Sequence, residues 1–131
     1  MRLTLDTNVL IAAFVAEGLC QRVYSSCLKS HDIVLSKYIL AEVERAFLKK
    51  AKMSMAQTKG NLQNIRDSAI IVEIPEDVEQ VCRDPKDDAI LATAMIGDCR
   101  MLVTGDEDLL VLKRYRSIRI VSPRTFVETE T

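Results

Sequence analysis

Short apolar strand runs alternate with stretches of helical period along the whole chain, and that alternation constrains the fold more than any other feature. Arg2 to Leu5 reads as a strand, Thr7 to Ala16 and Leu19 to Ser30 as helices broken at Gly18, and Ile33 to Leu35 as a second buried strand. Ser36 then caps a helix whose Ile39, Leu40, Val43, Phe47 and Leu48 recur at helical spacing. A polar helix from about Ser54 to Asp67 leads to Ala69–Ile74, the most β-branched stretch, stopped by Pro75. A helix follows Asp84, then a strand at Met101–Thr104, a short helix at Glu107–Leu112, a strand at Ser117–Val121 and a turn of helix from Pro123 to Val127. Strands separated by helices require crossover connections, so the expected fold is α/β: three layers, α/β/α, around a central, mostly parallel sheet.

The 131 residues fit one domain spanning 1–131. Hydrophobic residues at 48% and charged residues at 28% are those of a soluble globular chain. No run of eighteen apolar residues occurs, and the first residues lack the pattern of a secretory signal, so the expected location is cytoplasmic, with no membrane partner. Four cysteines without a C-x-x-C pair, beside a single histidine, argue against zinc; Cys20 and Cys27 read as core thiols. The net charge of −1 excludes nothing, and any binding of nucleic acid must come from local patches.

In parallel sheets the functional crevice lies beyond the carboxyl ends of the strands. Asp6 interrupts two apolar runs at such an end, and Asp106 follows the strand Leu102-Val103-Thr104 at another. A buried unpaired carboxylate is costly, so Asp6 caps a helix, faces a cleft or holds a cation. In RDPKDDAILATA, Asp84 and Pro85 read as N-cap and first helical residue, and Asp87 suits the helix dipole. Asp88 lies three residues before Leu91 and seven before Met95, which places it on the expected buried side. Glu42 borders the apolar stripe of its own helix, where pairing with Arg45 is the plainer reading. Together, four acids from two strand ends and two helix faces can converge in one pocket. Oxygen-only ligands suit Mg²⁺ or Mn²⁺, and such a pocket supports hydrolysis of phosphodiesters.

These residues resemble the PIN domain family, a compact α/β nuclease fold, and in particular its prokaryotic toxin–antitoxin branch. The resemblance rests on LDTNVLIAAF, SKYILAEVERAF, RDPKDDAILATA and LVTGDEDLL, in that order, and covers nearly the whole chain. It implies a divalent-metal-dependent ribonuclease with catalytic acids at Asp6, Glu42, Asp88 and Asp106, the metal being held by Asp6, Asp88 and Asp106. It implies supporting positions at Asn8, Ser36 and Thr104, Thr104 being placed to hydrogen-bond Asp6 from the next strand; Asp108 is a further supporting acid or a helix cap. It also implies a homodimer and a small antitoxin partner.

RNA needs cations away from the acids. One cluster, Arg45, Lys49, Lys50 and Lys52, ends the helix that carries Glu42; another, Lys113, Arg114, Arg116, Arg119 and Arg124, surrounds the last strand. Arg45, Lys49, Lys113 and Arg114 are the expected nucleic-acid contacts, against the alternative of solvated faces. A DNA nuclease with the same site and a non-catalytic binding module are the rival functions. A signalling receiver domain is disfavoured, because Glu73-Ile74-Pro75 supplies no phosphoacceptor aspartate after a middle strand.

Overall fold

A computed structural model describes residues 1–130. In chain order its elements are β1 (Arg2–Leu5), α1 (Thr7–Val15), α2 (Leu19–Ser30), β2 (Asp32–Ser36), α3 (Lys37–Lys49), α4 (Met55–Asp67), β3 (Ala69–Val72), α5 (Pro85–Ile96), β4 (Met101–Val103), α6 (Glu107–Leu110), β5 (Arg114–Tyr115), β6 (Ile118–Val121) and α7 (Pro123–Glu130). The strands form one sheet in the order β3-β2-β1-β4-β6-β5. Every neighbouring pair is parallel except β5 with β6. The expected mostly parallel α/β architecture is therefore observed.

Local chemistry accounts for the boundaries. Ser36 caps α3 by accepting from the Ile39 amide at 3.2 Å. Ser54 and Gln57 form a reciprocal capping box at the start of α4. Asp84 accepts from the Lys86 amide at 2.9 Å, with Pro85 opening α5. Two expectations change. The final helix runs to Glu130 rather than ending near Val127. The two-residue edge strand β5 was not anticipated; it is folded back by Lys113 and Arg116, both at positive φ, and neither is the glycine that usually marks such turns.

The strand order reverses between β1 and β4. From β1 the chain winds outward through β2 to β3, then α5 carries it back across the sheet to β4 on the other side of β1. Right-handed crossovers put α1 to α4 on one face and the returning α5 on the other. Helix α5 packs against β1, β2 and β4, while α1 packs on both α2 and α3. Strand residues Leu3, Leu5, Ile33, Val34, Leu35, Leu102 and Val103 are almost wholly buried between these layers. Cys27 lies in the same core and Cys20 at its margin, both as free thiols. Among the described residues, no helix is long and apolar enough to cross a membrane. The reversal opens a crevice at the carboxyl ends of β1 and β4, the position where sheets of this kind place their sites.

Candidate active site

Asp6 follows the last residue of β1. Its backbone amide continues the ladder to Val103 at 3.0 Å, and its carbonyl accepts from Val9 and Leu10 to start α1. Its side chain makes no capping bond. The carboxylate instead turns to β4, where Thr104 Oγ1 donates to Asp6 Oδ2 at 2.6 Å. The Thr104 oxygen also accepts from the Asp106 amide at 3.0 Å, so a single buried hydroxyl fixes both acids. Asp106 in turn caps α6, its Oδ1 accepting from the Asp108 amide at 2.8 Å.

Helix α5 supplies the third acid, and it is Asp87 rather than Asp88. Adjacent residues on a helix point about 100° apart. The stripe of α5 that borders the cleft carries Asp87 and Ile90, and Asp84 lies at its foot. Asp88 faces a separate groove with Leu91, Met95 and Tyr115. There Asp88 Oδ1 accepts from the backbone amides of Val81 and Cys82, each at 2.8 Å, and so anchors the segment entering α5. The expectation of Asp88 as a site acid treated Met95 as core; Met95 is 39% exposed, and the stripe it marks is not the one facing the cleft.

Asp6, Asn8, Glu42, Asp87 and Asp106 line one cleft of about 400 Å³, together with Arg45, Lys49, Lys50 and Lys86. Oxygens of Asp87, Asp106 and Asp108 lie within 4.8 Å of one another. Asp87 is buried, and its Oδ2 has no hydrogen-bond partner among the described residues. Burial, then the charge and carboxylate of Asp106, push the Asp87 carboxyl up to about 7. Burial also raises Asp6, opposed by the Thr104 hydroxyl. A partnerless carboxylate oxygen among like charges fits a divalent cation, whose charge would relieve all three acids. The donors here are oxygens alone, as Mg²⁺ or Mn²⁺ prefers.

The remaining expected residues are placed differently. Glu42 lines the cleft from α3, its Oε2 3.5 Å from Arg45 and 4.0 Å from Lys86. Asp108 is held by Arg83 at 2.7 Å. Ser36 does not line the cleft; its Oγ accepts from Thr93 at 2.8 Å as well as from Ile39, and so joins α5 to the start of α3. Lys113 and Arg114 do not reach the cleft. Arg114 pairs with Arg119, which pairs with Met101 at the amino end of β4, opposite to the end that bears Asp106. Sequence reasoning passed over Asp87, Lys86 and Thr93 as site or buttressing residues. Only the Asp-Pro cap, which fixes where the helical stripes begin, hinted at the first two.

No curated protein matches the chain. Among solved structures, VapBC2 from Rickettsia felis bound to a DNA fragment from their promoter aligns over 93% of this chain and 98% of its own, with a TM-score of 0.66 and 17% identity. VapBC-1 from nontypeable Haemophilus influenzae aligns over 95% and 99%, with a TM-score of 0.65 and 15% identity. Mycobacterium tuberculosis VapC20, a sarcin-ricin loop cleaving toxin, aligns over 89% and 98%, with a TM-score of 0.63 and 12% identity. At these identities the likeness is one of fold. The model described as PIN domain matches residues 2–108, a stretch that runs from the first strand through every acid of the cleft. On that match the chain belongs to the PIN domain family.

Proposed function

We propose that this chain is a divalent-metal-dependent endoribonuclease, one domain over residues 1–131, acting as the toxin of a toxin–antitoxin pair. The observation that carries the reading is the convergence of Asp6, Asp87 and Asp106 at the switch point, with the buried Oδ2 of Asp87 lacking a partner among the described residues. Family membership supports hydrolysis of a nucleic acid. The fold shared with a sarcin-ricin loop cleaving toxin supports RNA, and the fold shared with two VapBC proteins supports a small antitoxin partner. A cytoplasmic homodimer completes the proposal, checked by sizing chromatography.

Asp6, Asp87 and Asp106 would hold Mg²⁺ or Mn²⁺, and Asp108 lies close enough to Asp87 and Asp106 to join those two. When bound, such a cation lowers the pKa of a water and offsets charge on the phosphoryl oxygens. The protein's own part is positional. Thr104 keeps the Asp6 carboxylate turned into the cleft and presents Asp106 beside it. Glu42, steadied by Arg45 and Lys86, offers Oε2 as acceptor for a proton of the attacking water. The cations on the wall hold the phosphate backbone that the acids repel.

The test is cleavage of a mixed pool of transfer, ribosomal and messenger RNA by purified protein with Mn²⁺, with Mg²⁺ and with chelator. Asp6→Asn and Asp87→Asn are run beside the wild type. Metal-dependent cleavage lost in both variants is the expected result. Cleavage of DNA but not RNA would transfer the reading to a DNA nuclease. Cleavage that survives chelation or both variants would remove this cleft from the chemistry.

A further inference from the structure

The walls of the cleft differ in charge, and the difference has a direction. Glu42, Arg45, Ala46 and Lys49 fall at helical spacing on one stripe of α3 that faces the cleft, with Lys50 beside them. Arg45, Lys49 and Lys50 are all exposed. Arg45 leans on Glu42, at the inner end of the stripe. Lys49 and Lys50, at the outer end, have no ion-pair partner among the described residues. Away from α3 the cleft is lined by one cation, Lys86, whose Nζ lies 4.0 Å from Glu42 Oε2, while Arg124 at the start of α7 is not among the lining residues. Arg83 is engaged by Asp108, and Arg116 by Glu79, each at 2.7 Å. Lys113 and Arg114 lie toward the other end of the sheet.

We propose that the substrate strand leaves the acidic floor along α3 only, so that phosphates on one side of the scissile bond are held by Arg45, Lys49 and Lys50 while the other side is scarcely touched. The inference rests on the nuclease reading and deepens it by assigning a one-sided footprint. A rise of 1.5 Å per residue carries Lys49 about 10 Å beyond Glu42. At about 3.4 Å per stacked nucleotide, that length spans about three nucleotides. RNA kept to those few nucleotides on the α3 side should therefore be cut nearly as well as long RNA. RNA cut back on that side should not.

Two measurements decide it. The first is fluorescence anisotropy of a labelled twelve-nucleotide single-stranded RNA with Ca²⁺, across a series of KCl concentrations. The proteins are wild type, Arg45→Ala, the double variant Lys49→Ala with Lys50→Ala, and as control Lys113→Ala with Arg114→Ala. All these side chains are exposed, so each variant should keep the wild-type melting temperature, which is checked. The expected result is a loss of at least about fivefold for each α3 variant, with the salt slope shallower by about one per phosphate contact removed. The control should stay within about twofold. The second measurement takes the mapped cut and shortens the RNA from each end in turn; loss of cleavage from one end only is expected. RNA bound with the control weakened as much as the α3 variants, or cleavage lost equally from both ends, overturns the footprint and leaves the nuclease reading intact. Unchanged RNA binding in the α3 variants, with weakened binding of polyglutamate, overturns it in favour of an acidic protein segment on this wall. Wild-type protein that binds neither RNA nor DNA overturns both readings.

Discussion

Thr104 Oγ1 donates to Asp6 Oδ2 at 2.6 Å, joining the carboxyl ends of the two strands between which the sheet reverses. The same oxygen accepts from the Asp106 amide. Thr104→Val keeps the shape and removes the hydroxyl, leaving Asp6 without its side-chain donor and the Asp106 amide without its acceptor. Each loss in a buried setting costs about 1–3 kcal/mol. The variant should unfold at lower urea with an unchanged m value, and Mn²⁺ affinity read by calorimetry should fall about tenfold or more. Thr104→Ser, which retains the hydroxyl, should recover most of both. Full Mn²⁺ affinity in Thr104→Val would mean that the hydroxyl does not orient Asp6.

Asp87 and Asp88 are neighbours in sequence with opposite duties, and their variants should separate cleanly. Asp87→Asn removes a carboxylate that burial and Asp106 make costly to ionise. Without metal at pH 8 it should stabilise the protein by about 1–2 kcal/mol, and it should abolish the rise in melting temperature that millimolar Mn²⁺ gives the wild type. Asp88→Ala instead strands the Val81 and Cys82 amides and should cost about 2–4 kcal/mol. Asp88→Asn, whose carbonyl can still accept, should cost much less. A metal response lost in Asp88→Asn and kept in Asp87→Asn would reverse the assignment.

That pair also marks where the sequence stops being informative. The Asp-Pro cap fixed the start of α5, and Gly18 and Ser36 fixed other boundaries, because each is a local hydrogen-bonding or conformational signal. Which stripe of α5 faces the cleft depends on how the helix rolls against β1, β2 and β4, a tertiary matter. Leu91 and Met95 made the wrong stripe look like core, yet only Leu91 is buried. Strand β5 went unread for a related reason: two residues, Arg114 and Tyr115, paired only through the antiparallel edge of β6, leave no periodicity to detect. Asp6 and Asp106 were legible because a strand end is an unambiguous address in a parallel sheet.

The raised Asp87 carboxyl makes a statement about pH. In the unfolded chain it loses its proton near the ordinary value of 3.8; in the fold it keeps it up to about 7. Between those values the folded state binds more protons, so stability falls as pH rises. Metal-free protein should therefore have a melting temperature that declines from about pH 4 to about pH 7 and then levels with respect to this group. Burial of Asp6 acts in the same direction. Saturating Mn²⁺ should flatten or reverse the decline, since the cation binds the ionised carboxylates. Scanning calorimetry with and without chelator reads both curves; Asp87→Asn should remove most of the decline. Metal-free stability that climbs across this window would mean that other carboxylates outweigh the cluster.

Gly97 offers a test of how closely α5 must approach the sheet for Asp87 to be placed. A Cβ built there would lie 2.3 Å from Val34 Cγ1, 3.1 Å from Val34 Cβ and 3.2 Å from the Thr93 carbonyl oxygen. Val34 is fully buried in β2 and β-branched, so it cannot swing aside, and the carbonyl belongs to the helix itself. Gly97→Ala must therefore lift the end of α5 from β2, straining the Thr93–Ser36 hydrogen bond of 2.8 Å on the way. Overpacking of this kind costs about 1–3 kcal/mol. The double variant Gly97→Ala with Val34→Ala relieves the contact, so its loss of stability should be smaller than the two single losses added together, a coupling of about 1 kcal/mol in a double-mutant cycle. Mn²⁺ affinity should follow the same pattern, weakened in Gly97→Ala and partly restored in the pair. Strictly additive stabilities would show that α5 tolerates the methyl group and that its distance from β2 does not set the position of Asp87.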